Sequence, residues 1–331
     1  MDTSEVTRRT VLAQAGALLA GIALGGGGGR AAQAGSAGSH AAAGASSPTM
    51  AAAAGRITIG KDMLVNRLGF GAMRVTGPGI WGDPVDAAEA HRVLRRAVEL
   101  GVDFIDTADA YGPETSERLI AEALYPYPKG LVIATKGGIV RPGPDRWERD
   151  GRPEHLREAC EASLKRLKLE RIDLYQFHAI DPKVPLEDSL GEIAKLQQEG
   201  KIRHVGVSNF DVDQLARARK VVTVVSVQNR YNVADRSSDP VLAVCERDGL
   251  AFIPWSPLSQ SQRDSHEGSR AALESWAKLH GVSMPQAALA WLLARSPAML
   301  PIPGTSKVAH LEENVAAAAL RITPQEMSTI G

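Results

Sequence analysis

Phe104-Ile105-Asp106-Thr107-Ala108-Asp109-Ala110-Tyr111-Gly112 is the stretch on which the reading of this chain turns. It begins as a short apolar strand and runs directly into a carboxylate and then, five residues on, a phenol. Two later segments end in the same manner: residues 131–135 lead into Lys136, and residues 174–177 into His178. Each polar group alone has an ordinary explanation. Asp106 suits a helix cap, Tyr111 rim packing, Lys136 a solvated cation and His178 a structural imidazole. Four of them at the ends of successive strands are harder to set aside, because parallel strands bring their C-terminal ends together on one rim.

Outward from that stretch, short apolar runs alternate with amphipathic helices, the pattern of βαβ units and a parallel sheet. Strands are expected at residues 68–71, 104–106, 131–135, 174–177, 204–207, 224–228, 251–254 and 299–302. Between them, Ala90, Val93, Leu94, Ala97 and Val98 mark one helical face, and Leu156, Ala159, Cys160, Ser163, Leu164 and Leu167 another. A helix over 187–199 stops at Gly200, where a left-handed residue belongs. Another, over 284–294, starts after Ser283, a good N-cap. Eight strands with interleaved helices predict an α/β fold, a (β/α)8 TIM barrel. An N-terminal β-hairpin precedes it, pairing 57–59 with 63–65 across Gly60-Lys61-Asp62. Residues 56–331 are close to the roughly 250 such a barrel uses, and no interior linker marks a second domain.

Composition excludes several partners. Lys plus Arg and Asp plus Glu both number 38, so no basic field argues for nucleic acid. Cys160 and Cys245 fall in predicted helices without metal or redox spacing and read as small buried hydrophobes. Residues 13–55 are mostly Ala, Gly and Ser and bury too little surface to offset the entropy of ordering. Ahead of them, Thr7-Arg8-Arg9-Thr10-Val11-Leu12 leads into a weakly hydrophobic run over 13–24, with Ala32-Gln33-Ala34 as a small-residue cleavage site and residues 41–44 offering others. That is the arrangement of a twin-arginine export leader, and its apolar run is too short to span a bilayer. The expected organisation is a signal peptide over 1–34, a linker over 35–55 and the barrel over 56–331. The expected location is periplasmic or extracellular, with no membrane contact beyond the export machinery. Translation from Met50 would instead give a cytoplasmic protein. Nothing implies an oligomer.

The globular part resembles the aldo-keto reductase family over essentially all of residues 56–331. Residues 105–112, Thr135-Lys136, Phe177-His178, 200–210, 227–232, 254–258 and 302–306 carry the likeness, in that order. The resemblance implies an NAD(P)H-dependent oxidoreductase that reduces an aldehyde or ketone, or oxidises the alcohol, by hydride transfer. Tyr111 would be the general acid at the carbonyl oxygen. Lys136, paired with Asp106, would pull the phenol below its usual pKa of about 10. His178 would orient the carbonyl and share in stabilising the oxyanion. Ser208, Asn209 and Gln228 would face the nicotinamide carboxamide, Trp255 would stack on the ring, and Ser256 and Leu258 would complete that rim. Ser208-Asn209 equally suits an N-cap for a helix over 212–219.

Gly304 and His310 stand where NADPH-preferring relatives often have Lys and Arg, while Thr305, Ser306 and Lys307 can still hold a phosphate near a helix N-terminus. Glu313 and Asn314 match the adenine contacts of the family. NADPH is therefore the expected cofactor, with NADH the alternative, and no metal is implied. A rival reading is a non-catalytic NADP(H)-binding barrel acting as a sensor or auxiliary subunit. A barrel isomerase or hydrolase using Asp106 and His178 with a metal is weaker, for want of a carboxylate–His cluster. The substrate is expected to be a small carbonyl compound. Segments 137–152, with Trp147, and 259–268 are expected to overhang its pocket, and Trp81 is a further candidate wall.

Overall fold

The computed structural model describes residues 49–258 and 267–331. The leader over 1–34, most of the linker over 35–55 and most of the segment 259–268 lie outside the described residues. An antiparallel hairpin, β1 (Arg56–Ile59) with β2 (Met63–Asn66), comes first. Seven parallel strands then form one curled sheet: β3 (Phe70–Gly71), β4 (Phe104–Asp106), β5 (Val132–Gly137), β8 (Ile172–Phe177), β9 (Ile202–Ser208), β10 (Val224–Arg230) and β11 (Ala251–Trp255). A second hairpin, β6 (Ile139–Gly143) with β7 (Arg146–Arg149), is inserted after β5.

The eighth expected strand survives only as a bridge between Met299 and Phe252. Its segment nonetheless closes the ring. Phe252 N–H donates to Ala298 O at 2.8 Å and Leu300 N–H to Phe252 O at 2.9 Å on one side. On the other, Gly69 N–H reaches Pro301 O at 2.9 Å and Gly71 N–H reaches Pro303 O at 3.3 Å. Pro301 and Pro303 have no N–H to give, so a regular ladder cannot form there. The closed circle of parallel segments fits a (β/α)8 barrel.

Helices α1 (Ala87–Glu99), α2 (Thr115–Leu124), α3 (Pro153–Leu167) and α4 (Leu186–Gln198) pack outside the first four barrel strands. They are followed by α5 (Val212–Ala218), α6 (Asp239–Asp248), α7 (Glu267–His280), α8 (Met284–Arg295), α9 (Val308–Ala316) and α10 (Pro324–Ile330). Their starts follow local chemistry. Asp86 accepts from Glu89 N–H at 2.8 Å, and Ser283 and Gln286 form a reciprocal capping box. The cap of α5 is Asp211 with Gln214, so Ser208-Asn209 is not spent there. Cys160 and Cys245 are buried and free.

Alternation along the strands positions the site. Ile105 and Ile133 point outward against α1 and α2, while Phe104, Val132, Ala134 and Leu174 fill the barrel interior. The same inward rows end in Asp106, Lys136 and Gln176, so the interior passes from apolar at the bottom to ionic at the top. Ile59, Met63 and Val65 of the first hairpin join the apolar layer and plug the bottom.

The linker expected over 35–55 ends earlier than expected. Residues Met50–Ala54 form a 3₁₀ helix whose Ala51 is fully buried, with its N–H bonded to Leu100 O at 3.0 Å. Arg321 Nη2 donates to Ala53 O at 2.6 Å. Alanines are small enough to dock closely there, which composition alone did not reveal.

Candidate active site

Asp106 ends β4, Lys136 lies near the end of β5 and His178 follows β8, while Tyr111 sits in the loop between β4 and α2. Lys136 Nζ donates to Asp106 Oδ1 at 2.6 Å, to Thr107 O at 2.8 Å and to Tyr111 Oη at 3.3 Å. An ammonium has three protons, and this one has three acceptors. Lys136 is fully buried and Asp106 nearly so. Asp106 Oδ2 in turn accepts from Gln176 Nε2 at 2.9 Å and Gln228 Nε2 at 2.8 Å. A buried ion pair with every ammonium proton placed and both carboxylate oxygens bonded is the form in which such a pair survives desolvation.

Electrostatics divide the roles. Burial works against the Lys136 ammonium, but Asp106 and Tyr111 overcome it and hold its pKa above the usual value. Burial raises the Tyr111 phenol, and the nearby Lys136 charge only partly pulls it back. This corrects the expectation that Lys136 brings the phenol below its ordinary value: before ligands enter, desolvation wins and Tyr111 keeps its proton. Burial, with Lys136 nearby, pushes the His178 imidazole well below its usual pKa, so it is neutral near pH 7. Its Nδ1 is buried without a partner among the described residues. Tyr111 and His178 meet edge to face with ring centroids 5.9 Å apart.

These groups open into a cavity of about 690 Å³, the size of a small-ligand site. Tyr111, His178, Ser208, Asn209, Gln228, Trp255, Ser256, Leu258 and Gly304 line it, as do Ile80, Ile139 and Trp147. Asn209 takes a left-handed φ of 62° after β9, and this turn aims its amide along the rim. Its Nδ2 donates to His178 O and Ser208 Oγ, both at 3.1 Å, and its Oδ1 accepts from Trp255 Nε1 at 3.0 Å. Trp255 keeps 36% of its surface exposed and is thus a ring held by its edge with a face left open.

The outer part of the expected cofactor strip is more dispersed. Thr305 is buried and accepts from Lys307 N–H at 3.1 Å, while Ser306 and Lys307 line a neighbouring groove. His310, Glu313 and Asn314 lie on α9, outside the lining of the main cavity. Gly304 has a structural reason: a Cβ there would collide with the carbonyl oxygen of Gly71, and one at Gly71 would come within 2.6 Å of Ile302 O. Two backbones meet where the barrel closes, and no side chain fits between them.

Three residues escaped the sequence reading. Gln176 is one of the two amides holding Asp106, and its inward position one step before His178 in the alternation was a usable signal. Arg141 is buried beneath Trp147. Arg74 is exposed, makes no hydrogen bond or ion pair among the described residues, and lines both the main cavity and the groove beside Ser306 and Lys307.

The donor set, the open Trp255 ring and the orphaned His178 nitrogen suit a dinucleotide with a neutral amide head beside a polar carbonyl substrate. Comparison with known proteins agrees. Residues 67–331 match the aldo/keto reductase family. An uncharacterized oxidoreductase of Schizosaccharomyces pombe is 52% identical over 83% of this chain and 88% of its own length. Pyridoxine 4-dehydrogenase of Escherichia coli is 42% identical over 80% of this chain and 94% of its own. The crystal structure of an aldo-keto reductase from Klebsiella pneumoniae in complex with NADPH superposes with a TM-score of 0.69 at 25% identity, covering 83% of this chain and 93% of that one. Sequence, fold and site together show that the chain belongs to the aldo/keto reductase family of NAD(P)H-dependent oxidoreductases.

Proposed function

We propose that this chain is an NADPH-dependent reductase of aromatic aldehydes of the pyridoxal type, working in reverse on the corresponding alcohols. The observation that carries the chemistry is the buried Lys136–Tyr111 contact beside a neutral His178. Bound dihydronicotinamide supplies the hydride. Tyr111 Oη gives its proton to the carbonyl oxygen, and Lys136, already ionised, stabilises the phenolate that remains. His178, uncharged, positions the carbonyl by a hydrogen bond and does not compete as an acid. Asp106 is held in place by Lys136, Gln176 and Gln228 and in turn fixes the Lys136 ammonium beside Tyr111. The pyridoxal-type substrate is supported by the 42% identical E. coli relative.

For the cofactor, Gln228 has spent its amide N–H on Asp106 and Gln176, leaving its amide oxygen, with Asn209 and Ser208, for a carboxamide. The Arg74 stem passes 3.6 Å from the place where a side chain on Gly304 would begin, and its guanidinium, without a partner among the described residues, is suited to a cofactor phosphate. The full chain should quench its fluorescence with NADPH and oxidise it in the presence of pyridoxal or 4-nitrobenzaldehyde. Binding without turnover of either aldehyde would return the chain to the sensor reading. Because Tyr111 is held up and His178 down, kcat/KM for reduction should stay flat from about pH 7 to 9. An inflection near pH 7 would contradict a neutral His178.

Export by the twin-arginine route is part of the same proposal, supported by Arg8-Arg9 and the short apolar run after them. Replacing both arginines with lysine should hold the enzyme in the cytoplasmic fraction. An unchanged distribution would favour a start at Met50.

A further inference from the structure

The hairpin β6–β7 hangs over Tyr111, and one side chain holds it there. Arg141, 7% exposed, donates Nε–H to Arg146 O at 2.9 Å across the hairpin, Nη1 to Ile80 O at 3.0 Å and Ala110 O at 3.4 Å, and Nη2 to Gly79 O at 3.2 Å. Three separate segments are thereby tied together: the hairpin, the loop after β3 and the residue immediately before Tyr111. The same guanidinium lies 3.7 Å from the ring centroid of Trp147 and 5.6 Å from that of Trp81. Burial lowers its pKa, with Asp145 opposing, yet an arginine remains charged. Every nitrogen of Arg141 is occupied and it does not line the cavity, so it is no anion site. What it presents to the cavity is Trp147, whose ring meets Tyr111 edge to face with centroids 6.4 Å apart and stays 40% exposed. Beside Trp147 the roof is Ile80 and Ile139, both uncharged, whereas the Arg74 guanidinium that also lines the cavity has its stem on the Gly304 side, toward the proposed cofactor phosphate.

We propose that Trp147 is the specificity residue of this site, selecting flat carbonyl compounds without net charge that stack beneath the roof, and that Arg141 is the positioning residue that fixes it. A ring stacked on a rigid indole gains contact area without the entropy cost of ordering a loop. A substrate charge at that end would meet no partner and would lose its water. This deepens the aromatic-aldehyde reading and rests on it for pyridoxal alone.

The test uses the full chain with NADPH and four aldehydes: pyridoxal, 4-nitrobenzaldehyde, 4-carboxybenzaldehyde and propanal. Trp147→Ala should raise KM for the first two about tenfold, the worth of one aromatic contact, while propanal changes less than about twofold. Trp147→Phe should restore most of the loss. Arg141→Met should reproduce the same shift in selectivity with NADPH affinity unchanged, and the wild type should take 4-carboxybenzaldehyde about tenfold less well than the nitro compound. Equal losses for 4-nitrobenzaldehyde and propanal would overturn the assignment of specificity to the roof. Equal kcat/KM for the carboxy and nitro compounds would overturn the preference for uncharged substrates. If wild type ignores pyridoxal but reduces 4-nitrobenzaldehyde, the pyridoxal reading fails while the roof is still judged by the nitrobenzaldehyde-to-propanal ratio. Should Arg141→Met not fold, the Trp147 pair decides specificity and Arg141→Lys decides positioning: it keeps the charge but not the fork, so unchanged selectivity would overturn that role.

Discussion

Two aspartates sit at opposite ends of the barrel in similar company. At the top, Asp106 accepts from Lys136 at 2.6 Å, and side chains of 2% and 0% exposure share the contact. At the bottom, Asp62 in the turn between β1 and β2 accepts from Arg203 at 2.7 Å and faces His204 at 2.7 Å, but it is 56% exposed. Charge and distance are alike, and surroundings differ. Two unit charges 4 Å apart interact by about 1 kcal/mol in water and about 4 kcal/mol at the effective dielectric of a protein. Burial thus turns an ordinary ion pair into one whose every partner matters, and the protein places its chemistry at the end where that holds.

The sharpest way to break the contrast is Lys136→Met. It leaves Asp106 charged and buried with only two amides for company, and removes the cation beside Tyr111. Stability should fall by about 3–5 kcal/mol in urea unfolding, and reduction should become undetectable. A variant as stable as wild type would mean that Asp106 gives up its charge at little cost. Tyr111→Phe separates chemistry from structure at the same spot. It deletes one acceptor of Lys136 but no charge, so kcat should drop about 10²- to 10⁴-fold while NADPH binding and stability stay close to wild type. Near-normal kcat would refute Tyr111 as the acid.

The rim was legible in the sequence because its residues obey a local rule. Asp106, Lys136 and His178 close the inward rows of their strands, and alternation with period two carries them to one place. The helix caps at Ser283 and Gly200 were equally local. What was not legible depended on distant partners. Gln176 matters because Asp106, 70 residues earlier, has a second oxygen to satisfy. The β6–β7 hairpin was disguised by Pro142 and Pro144, which interrupt its alternation, although Pro144-Asp145 before Trp147 is a turn signal. Arg141 looked like any loop arginine until four carbonyls and two indoles converged on it. Gly304 read as a missing cation, whereas its meaning is steric and lies in Gly71.

Gln176→Leu tests whether satisfaction at the top matters apart from charge. It removes a neutral donor to Asp106 Oδ2 and leaves the Lys136 pair in place. A loss of about 1–3 kcal/mol is expected, the worth of one hydrogen bond to a buried carboxylate that keeps Gln228 as its other donor, with kcat lowered less than in Lys136→Met. No change in unfolding free energy would show that Gln228 alone suffices.

The smallest effect belongs at the bottom. Asp62 has its pKa held below the ordinary carboxylate value of 3.8, chiefly by hydrogen bonds from Arg203 and His204. A carboxylate whose folded pKa is depressed stabilises the fold above its unfolded pKa, and loses that contribution as pH falls through the folded value. The Asp62 contribution is therefore fully present at neutral pH and disappears below about pH 4. Asp62→Asn should leave turnover untouched at pH 7, cost little stability there, and make the acid side of the stability profile shallower. Because the group is exposed, added salt should erase most of the difference. If Asp62→Asn instead destabilised the protein as much as Gln176→Leu, independently of salt, exposure would not be what separates the two ends. The first hairpin would then be a structural plug dependent on this ion pair, not one held by Ile59, Met63 and Val65 against the apolar layer of the barrel.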